Sequence, residues 1–236
     1  MLKFKKKKSG LQAPGRNLIA AINPKSPISE QYRTIRTNIQ FSMVDKELKT
    51  LACTSATMSE GKSTTITNLA VTIARQGQKV LLVDADLRKP TIHQIMEVKN
   101  QHGLTNLLTK KKNSKEAILP APKIKNLYIL PSGPIPPNPA ELLGSKAMED
   151  LILKLSEKYD LILFDTPPVL AVTDAQVLGS FCDGVVIVLK SHTVDRKDLI
   201  KTKELLDKTN INLIGAIFNG VEPKGLDDHY YYYGTE

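Results

Sequence analysis

Ala56-Thr-Met-Ser-Glu-Gly-Lys-Ser63 fits the eight-residue phosphate-loop pattern G-x-x-x-x-G-K-[ST], except that Ala56 stands in place of the first glycine. In such a loop the backbone around Ser59, Glu60, Gly61, Lys62, Ser63 and Thr64, with the N-terminus of the following helix, wraps a polyphosphate. Lys62 would neutralise charge on the β- and γ-phosphates, and the Ser63 hydroxyl would ligate Mg2+. Two acidic segments accompany the loop. In Val83-Asp-Ala-Asp-Leu-Arg88, Asp84 and Asp86 are one residue apart and can face one side of a crevice, with Arg88 close behind. Asp165 follows the apolar run 161–164 as a Walker-B-type carboxylate, suited to hold Mg2+ or its waters. A helix cap or turn would explain any one aspartate alone. Three of them at two strand ends beside a phosphate loop point to a metal bound with a nucleotide. Tyr230, Tyr231, Tyr232 and Tyr233 form an unbroken run in a chain with only seven tyrosines. A triphosphate site and a row of phenolic hydroxyls in one molecule suggest a kinase that modifies its own tail.

Such residues need a scaffold that brings strand ends and a helix N-terminus to one ligand. Ile28, Tyr32, Ile35, Ile39 and Met43 recur at helical spacing, with Ser29 near the start. The pattern then predicts a strand over 50–54, the loop, a helix over 62–76 ended by Gly77, and strands over 79–84 and 127–130. A turn-rich segment, 131–139, precedes a helix over 146–158 and a strand over 161–165. Helices over 173–180 and 195–209 alternate with strands over 184–190 and 213–219. Continuous apolar strands alternating with helices predict an α/β fold with a mainly parallel central sheet and helices on both faces. Residues 1–27 contain Gly10, Pro14, Gly15, Pro24 and Pro27 and are expected to be a basic flexible tail. Residues 28–220 form the predicted domain, and 221–236 a second tail carrying the tyrosines. A strand cap or sticky aromatic patch fits that run less well, because no apolar alternation continues around it. The sixteen residues from Val221 to Glu236 span at most on the order of 50 Å, enough to reach a neighbour's site.

At 236 residues and 41% apolar content, the chain can bury the core of one such domain. Its apolar runs are too short to cross a bilayer, and Met1-Leu-Lys-Phe-Lys-Lys-Lys-Lys8 lacks the apolar segment of a signal peptide. A cytoplasmic protein is expected. Cys53 and Cys182 lack metal-like or redox-like spacing and are expected to be buried thiols. Five of the nine excess positive charges come from Lys3 and Lys5 to Lys8. They suit either a solvated tail or an anionic membrane surface, where each lysine contributes about 1 kcal/mol. With 5% aromatic residues, no Trp and no groove-reading motif, nucleic acid is not an expected partner.

The loop, the segment 81–88, Asp165 with Thr166-Pro-Pro168, the segment 132–143 and the tyrosine run together resemble the bacterial tyrosine kinases. These are P-loop kinases associated with capsule and exopolysaccharide synthesis. The resemblance covers almost the whole chain after the basic tail, and is strongest to the stand-alone Gram-positive form, as in exopolysaccharide operons of bacilli. It implies a P-loop three-layer fold, ATP and Mg2+ as cofactors, and phosphoryl transfer to tyrosine in protein substrates. It also implies a homo-oligomeric ring, with a separate membrane protein supplying the activating cytoplasmic segment and recruiting the kinase to the membrane. Glu30-Gln-Tyr-Arg-Thr-Ile-Arg36 is similar to the family's E-x-x-R-x-x-R ring-assembly element. From the residues alone, Glu30 and Arg33 are an exposed i,i+3 pair contributing about 0.2–0.5 kcal/mol, with Arg36 on the flank of the apolar stripe. The resemblance makes the three a subunit interface, and makes Asn219 an adenine contact. Either Asp84 or Asp86 suits the base that takes the phenolic proton, the other joining the metal shell. Arg88 suits charge stabilisation or a structural pairing. The competing class is a switch ATPase of the division-site or plasmid-partition type, whose loop carries a lysine where this chain has Thr57. A non-enzymatic adaptor would have no use for the phosphate loop.

Overall fold

The computed structural model describes residues 18–43, 47–111, 113–209 and 211–221. Residues 1–17 and 222–236, which include the lysine run and Tyr230 to Tyr233, lie outside them. The chain opens with α1 (Ile19–Ile22) and α2 (Pro27–Phe41), then β1 (Thr50–Ser55) and α3 (Lys62–Ala74). Next come β2 (Val80–Asp84), α4 (Ile92–Ile95), α5 (Leu104–Leu108), α6 (Ser114–Ala117), β3 (Leu119–Pro120) and β4 (Leu127–Leu130). The last part runs α7 (Pro139–Leu143), α8 (Lys146–Ser156), β5 (Leu161–Asp165), α9 (Asp174–Gly179), β6 (Gly184–Lys190), α10 (Arg196–Asp207) and β7 (Leu213–Asn219).

β1, β2 and β5 are buried at every position, so helices must cover both their faces. The strands form one sheet in the order β3-β4-β2-β5-β1-β6-β7, parallel except for the β3–β4 pair. Successive residues of one strand feed different cores. Leu51, Leu82 and Leu163 pack on one face with Ile66, Leu69 and Ile73 of α3. Ala52, Leu81 and Phe164 pack on the other, with Met148, Ile152 and Leu155 of α8 and with α9 and α10. This is the α/β arrangement expected, with helices on both faces. Cys53 is fully buried as anticipated, but Cys182 is only partly covered.

The registers matter for function. Asp84 at the end of β2 is the partner of Asp165 at the end of β5, and Cys53 of β1 is Asp165's partner on the other side. Three strand ends, and every loop that leaves them, therefore open onto one edge of the sheet.

Residues 18–27, expected to belong to a tail, instead pack against the domain, so the boundary after residue 27 is corrected. Ala20 of α1 is buried, and its N–H donates to Asn68 Oδ1 of α3 at 2.9 Å. Arg75, beyond the end of α3, donates to the carbonyls of Ala20 and Ala21 at 2.7 and 2.9 Å. Pro27 does not break the chain here. It occupies the first turn of α2, where a missing N–H costs nothing, and Ser26 Oγ caps that turn by accepting from Ser29 N–H at 3.1 Å.

Phe164 is fully buried in the central strand β5. Phe164→Ala is expected to cost about 3–5 kcal/mol in urea denaturation of the full chain. A loss below about 1 kcal/mol would mean that the sheet face around it collapses to fill the space.

Candidate active site

The phosphate loop joins β1 to α3 at this edge. Gly61 precedes α3 with φ 87°, a left-handed conformation, and a Cβ built on it would lie 2.0 Å from Asn219 Nδ2. The left-handed conformation favours glycine there, and a Cβ would displace the Asn219 amide. α3 then begins at Lys62, so the first-turn N–H groups face the loop with no acidic side chain in that turn.

The Lys62 side chain is almost wholly buried. Its Nζ lies 3.1 Å from Asp165 Oδ1, 3.3 Å from Ser63 Oγ and 3.7 Å from Asp86 Oδ2. Burial pulls its pKa down, but Asp165 and Asp86 outweigh burial and hold it above the ordinary lysine value. The lysine therefore stays charged in the place where a polyphosphate would displace or share its carboxylate partners.

Asp84 and Asp165 are both fully buried. Asp84 Oδ2 accepts the N–H groups of Thr91 and Ile92, each at 3.0 Å. Burial, and then Asp165, push the Asp84 carboxyl well above the usual range against those bonds. Asp165 is raised by burial, while Lys62 and Ser63 work against that rise. Asp84 Oδ1 and Asp165 Oδ2 are buried without a hydrogen-bond partner. Orphaned carboxylate oxygens are costly, and a cation is the group that would satisfy them. With the Ser63 hydroxyl beside Lys62 Nζ, this donor set fits Mg2+. Among the described residues no three acidic, His or Cys side chains form a metal cage by themselves. Mg2+ does not require one, because it usually takes one or two carboxylates and completes its shell with phosphates and water.

The other expected site residues separate into those the fold brings to this edge and those it sends elsewhere. Asp86 is nearly buried, with Oδ1 accepting Lys89 N–H at 2.9 Å and Oδ2 toward Lys62. Arg88 makes a bidentate pair with Asp174 at the start of α9, at 3.0 and 2.9 Å. Its partner is fully buried, so of the two roles open to Arg88 the structure supplies the pairing. Asp174 drew no notice in the sequence, where it resembles any acidic residue in a first helical turn. Asn219, at the end of β7, donates through Nδ2 to the Glu60 carbonyl at 2.9 Å. Ser59 and Thr64 flank the loop's approach to α3, both partly or fully exposed. Glu30, Arg33 and Arg36 lie on α2, away from the loop. Glu30 pairs with Arg33, which also donates to the Pro24 carbonyl at 2.6 Å. Arg36 lines a cleft with Asp160 and Leu161, at the opposite end of β5 from Asp165.

A family profile described as an AAA domain matches residues 48–214, the span that holds all of this edge except Asn219. The tyrosine-protein kinase YwqD of Bacillus subtilis is 52% identical over 223 residues, covering 94% of this chain and 92% of that protein. The chain belongs to the bacterial tyrosine-protein kinases. Among solved structures, the kinase domain of the Escherichia coli tyrosine kinase ETK matches with a TM-score of 0.85 at 33% identity, over 94% of this chain and 87% of that one. The chimerical protein CapA2B2 matches with a TM-score of 0.85 at 42% identity, over 88% and 91%. In this kinase, no helix among the described residues is long and apolar enough to cross a membrane.

The buried carboxylates give a pH signature. Burial raises Asp84 in the fold, so ionising it there costs more than in the unfolded chain. The native state therefore gains on the unfolded state as pH falls through the folded value. Relative to Asp84→Asn, which does not titrate, wild-type stability in chelator is expected to rise as pH falls from the neutral range toward the ordinary aspartate value. Urea midpoints of both proteins across that range measure it. A gap that ignores pH would mean Asp84 ionises without penalty.

Proposed function

We propose that this protein is an ATP-dependent protein-tyrosine kinase whose acceptors include Tyr230 to Tyr233 of a neighbouring copy. The observation that carries the reading is the buried Lys62 ammonium at the N-terminus of α3, held between Asp165 and Asp86 beside two orphaned carboxylate oxygens. That constellation suits phosphoryl transfer, where positioning and charge neutralisation supply most of the catalysis. The N–H groups of the loop and Lys62 would hold the β- and γ-phosphates of ATP. The phenolic oxygen attacks the γ-phosphorus, the bond to the β–γ bridging oxygen breaks, and ADP leaves. Bound Mg2+, held by Ser63, Asp84 and Asp165, would offset negative charge on the phosphates. That leaves Asp86, nearer the surface, to take the phenolic proton late in transfer.

Chain length supports transfer in trans: the fifteen residues beyond Val221 span at most on the order of 50 Å, enough to reach a second molecule. Glu30, Arg33 and Arg36 are proposed as the contact between protomers of a ring, where head-to-tail interfaces close if the rotation allows. Each phosphate adds about −1.5 to −2 charge to a tail, so a multiply phosphorylated ring should loosen. An activating cytoplasmic segment of a membrane modulator, recruitment to the inner face of the membrane with help from Lys3 and Lys5 to Lys8, and control of exopolysaccharide or capsule synthesis complete the proposal. The modulator, the recruitment and the pathway rest on the family resemblance, and the lysine contribution rests on charge.

Incubation with MgATP, with and without a candidate modulator segment, tests the activity. Phosphotyrosine mapped by mass spectrometry is expected on residues 230–233, and is expected to vanish in Lys62→Met or on removal of Mg2+. Mixing Lys62→Met with an active protein whose four tail tyrosines are Phe should label the Lys62→Met tail. Label that never appears there would exclude transfer in trans, and ATP hydrolysis without phosphotyrosine would favour the switch ATPase.

The assembly makes a separate expectation. Light scattering of the phosphorylated protein should give a smaller mass than Lys62→Met. Equal masses would remove the link between tail charge and ring stability.

A further inference from the structure

Glu60 sits inside the phosphate loop, where a carboxylate is an unfavourable neighbour for a triphosphate, yet it is 1% exposed. Its position in the motif suggested a nucleotide contact, but its side chain is committed elsewhere. Oε1 accepts from the Thr57 N–H and, at 2.9 Å, from the Thr57 hydroxyl, closing a ring across the tip of the loop. Oε2 accepts from Lys190 N–H at 3.1 Å. The Glu60 carbonyl accepts from Asn219 Nδ2 at 2.9 Å. Lys190 and Asn219 are the last residues of β6 and β7 and are paired in register. One residue thus fastens the loop to itself and, at two points, to the joined ends of two neighbouring strands.

We infer that Glu60 is a positioning residue: it holds the phosphate loop in its anion-binding shape and couples that shape to the ends of β6 and β7. The inference rests on reading 56–63 as an ATP site. The Glu60 carboxylate is met by three donors, the Thr57 N–H, the Thr57 hydroxyl and the Lys190 N–H. The N–H groups that follow it in the loop are left to the ligand. Charge-assisted bonds of this kind are stronger than neutral ones. The Asn219 tie adds a steric condition, because only the bare Gly61 lets its amide approach. Without these ties the nucleotide itself would have to order the loop, and that ordering cost would appear as lost affinity. The loss would fall on ground state and transition state alike, raising KM more than it lowers kcat.

The test is an equilibrium titration of the full chain with MgATP, by calorimetry, for wild type, Glu60→Gln, Glu60→Ala, Asn219→Ala and the Glu60→Ala/Asn219→Ala pair. Glu60→Gln keeps the length and one acceptor, so its Kd is expected to rise about tenfold, and that of Glu60→Ala further. Circular dichroism of the unliganded proteins should be unchanged. The pair is expected to lose less than the product of its single losses, since both ties restrain one loop. In phosphotransfer assays kcat should stay within about twofold while KM rises. An unchanged Kd in Glu60→Ala overturns the inference, strictly multiplicative losses overturn the coupling to β7, and a fall in kcat at constant KM places Glu60 in the chemistry instead. If Glu60→Ala does not fold, Glu60→Gln decides the same question. A wild type that binds ATP but forms no phosphotyrosine would count against the kinase reading and leave the binding series intact.

Discussion

The Lys62 ammonium is buried at the head of α3, and the site is arranged around keeping it charged there. A lone buried ammonium would lose its proton or unfold its surroundings, because desolvation of an unpaired charge costs several kcal/mol. Asp165 at 3.1 Å and Asp86 at 3.7 Å prevent this. The compensation is incomplete in an instructive way. One ammonium does not balance the carboxylates of Asp84, Asp86 and Asp165, and Asp84 Oδ1 and Asp165 Oδ2 are left unsatisfied. The edge is thus prepared for a cation and a polyanion together, and less well suited to either alone.

That balance is possible only because β2, β5 and β1 are consecutive in the sheet and parallel. Parallel order puts Asp84 and Asp165 in register at one edge, while β1 delivers the loop and α3 beside them. The cores on the two faces then resist any shift of these strands. A slip of one residue would move each apolar side chain to the wrong core and carry Asp165 away from Lys62. Stability and chemistry share one register.

Around this centre the supporting contacts run between segments far apart in the chain. Arg88 is fixed by Asp174, Gly61 is covered by Asn219, and Glu60 is held by Lys190. The phosphate loop itself was legible in the sequence, as were the strands that end in Asp84 and Asp165, because local apolar runs and a spaced motif encode them. The packing of α1 was not. Pro24 and Pro27 are local signs of irregular chain, whereas the bond from Ala20 to Asn68 spans 48 residues and leaves no local trace. The helices of two turns or fewer between β2 and α8 were missed for a related reason: they are too short to show periodicity.

By itself the sequence determined which groups are available for phosphate and metal chemistry, and that buried parallel strands would carry them to a common edge. It did so because the loop motif and the apolar strand patterns act over a few neighbouring residues. Only the tertiary structure decided what each polar group does there. From spacing, Arg88 suits either charge stabilisation or a structural pairing, and Glu60 is one of the loop residues whose backbone wraps a polyphosphate; the fold engages both side chains in holding other elements. Which partner a charged side chain takes depends on distance across the sheet, and that distance is set by packing rather than by position along the chain.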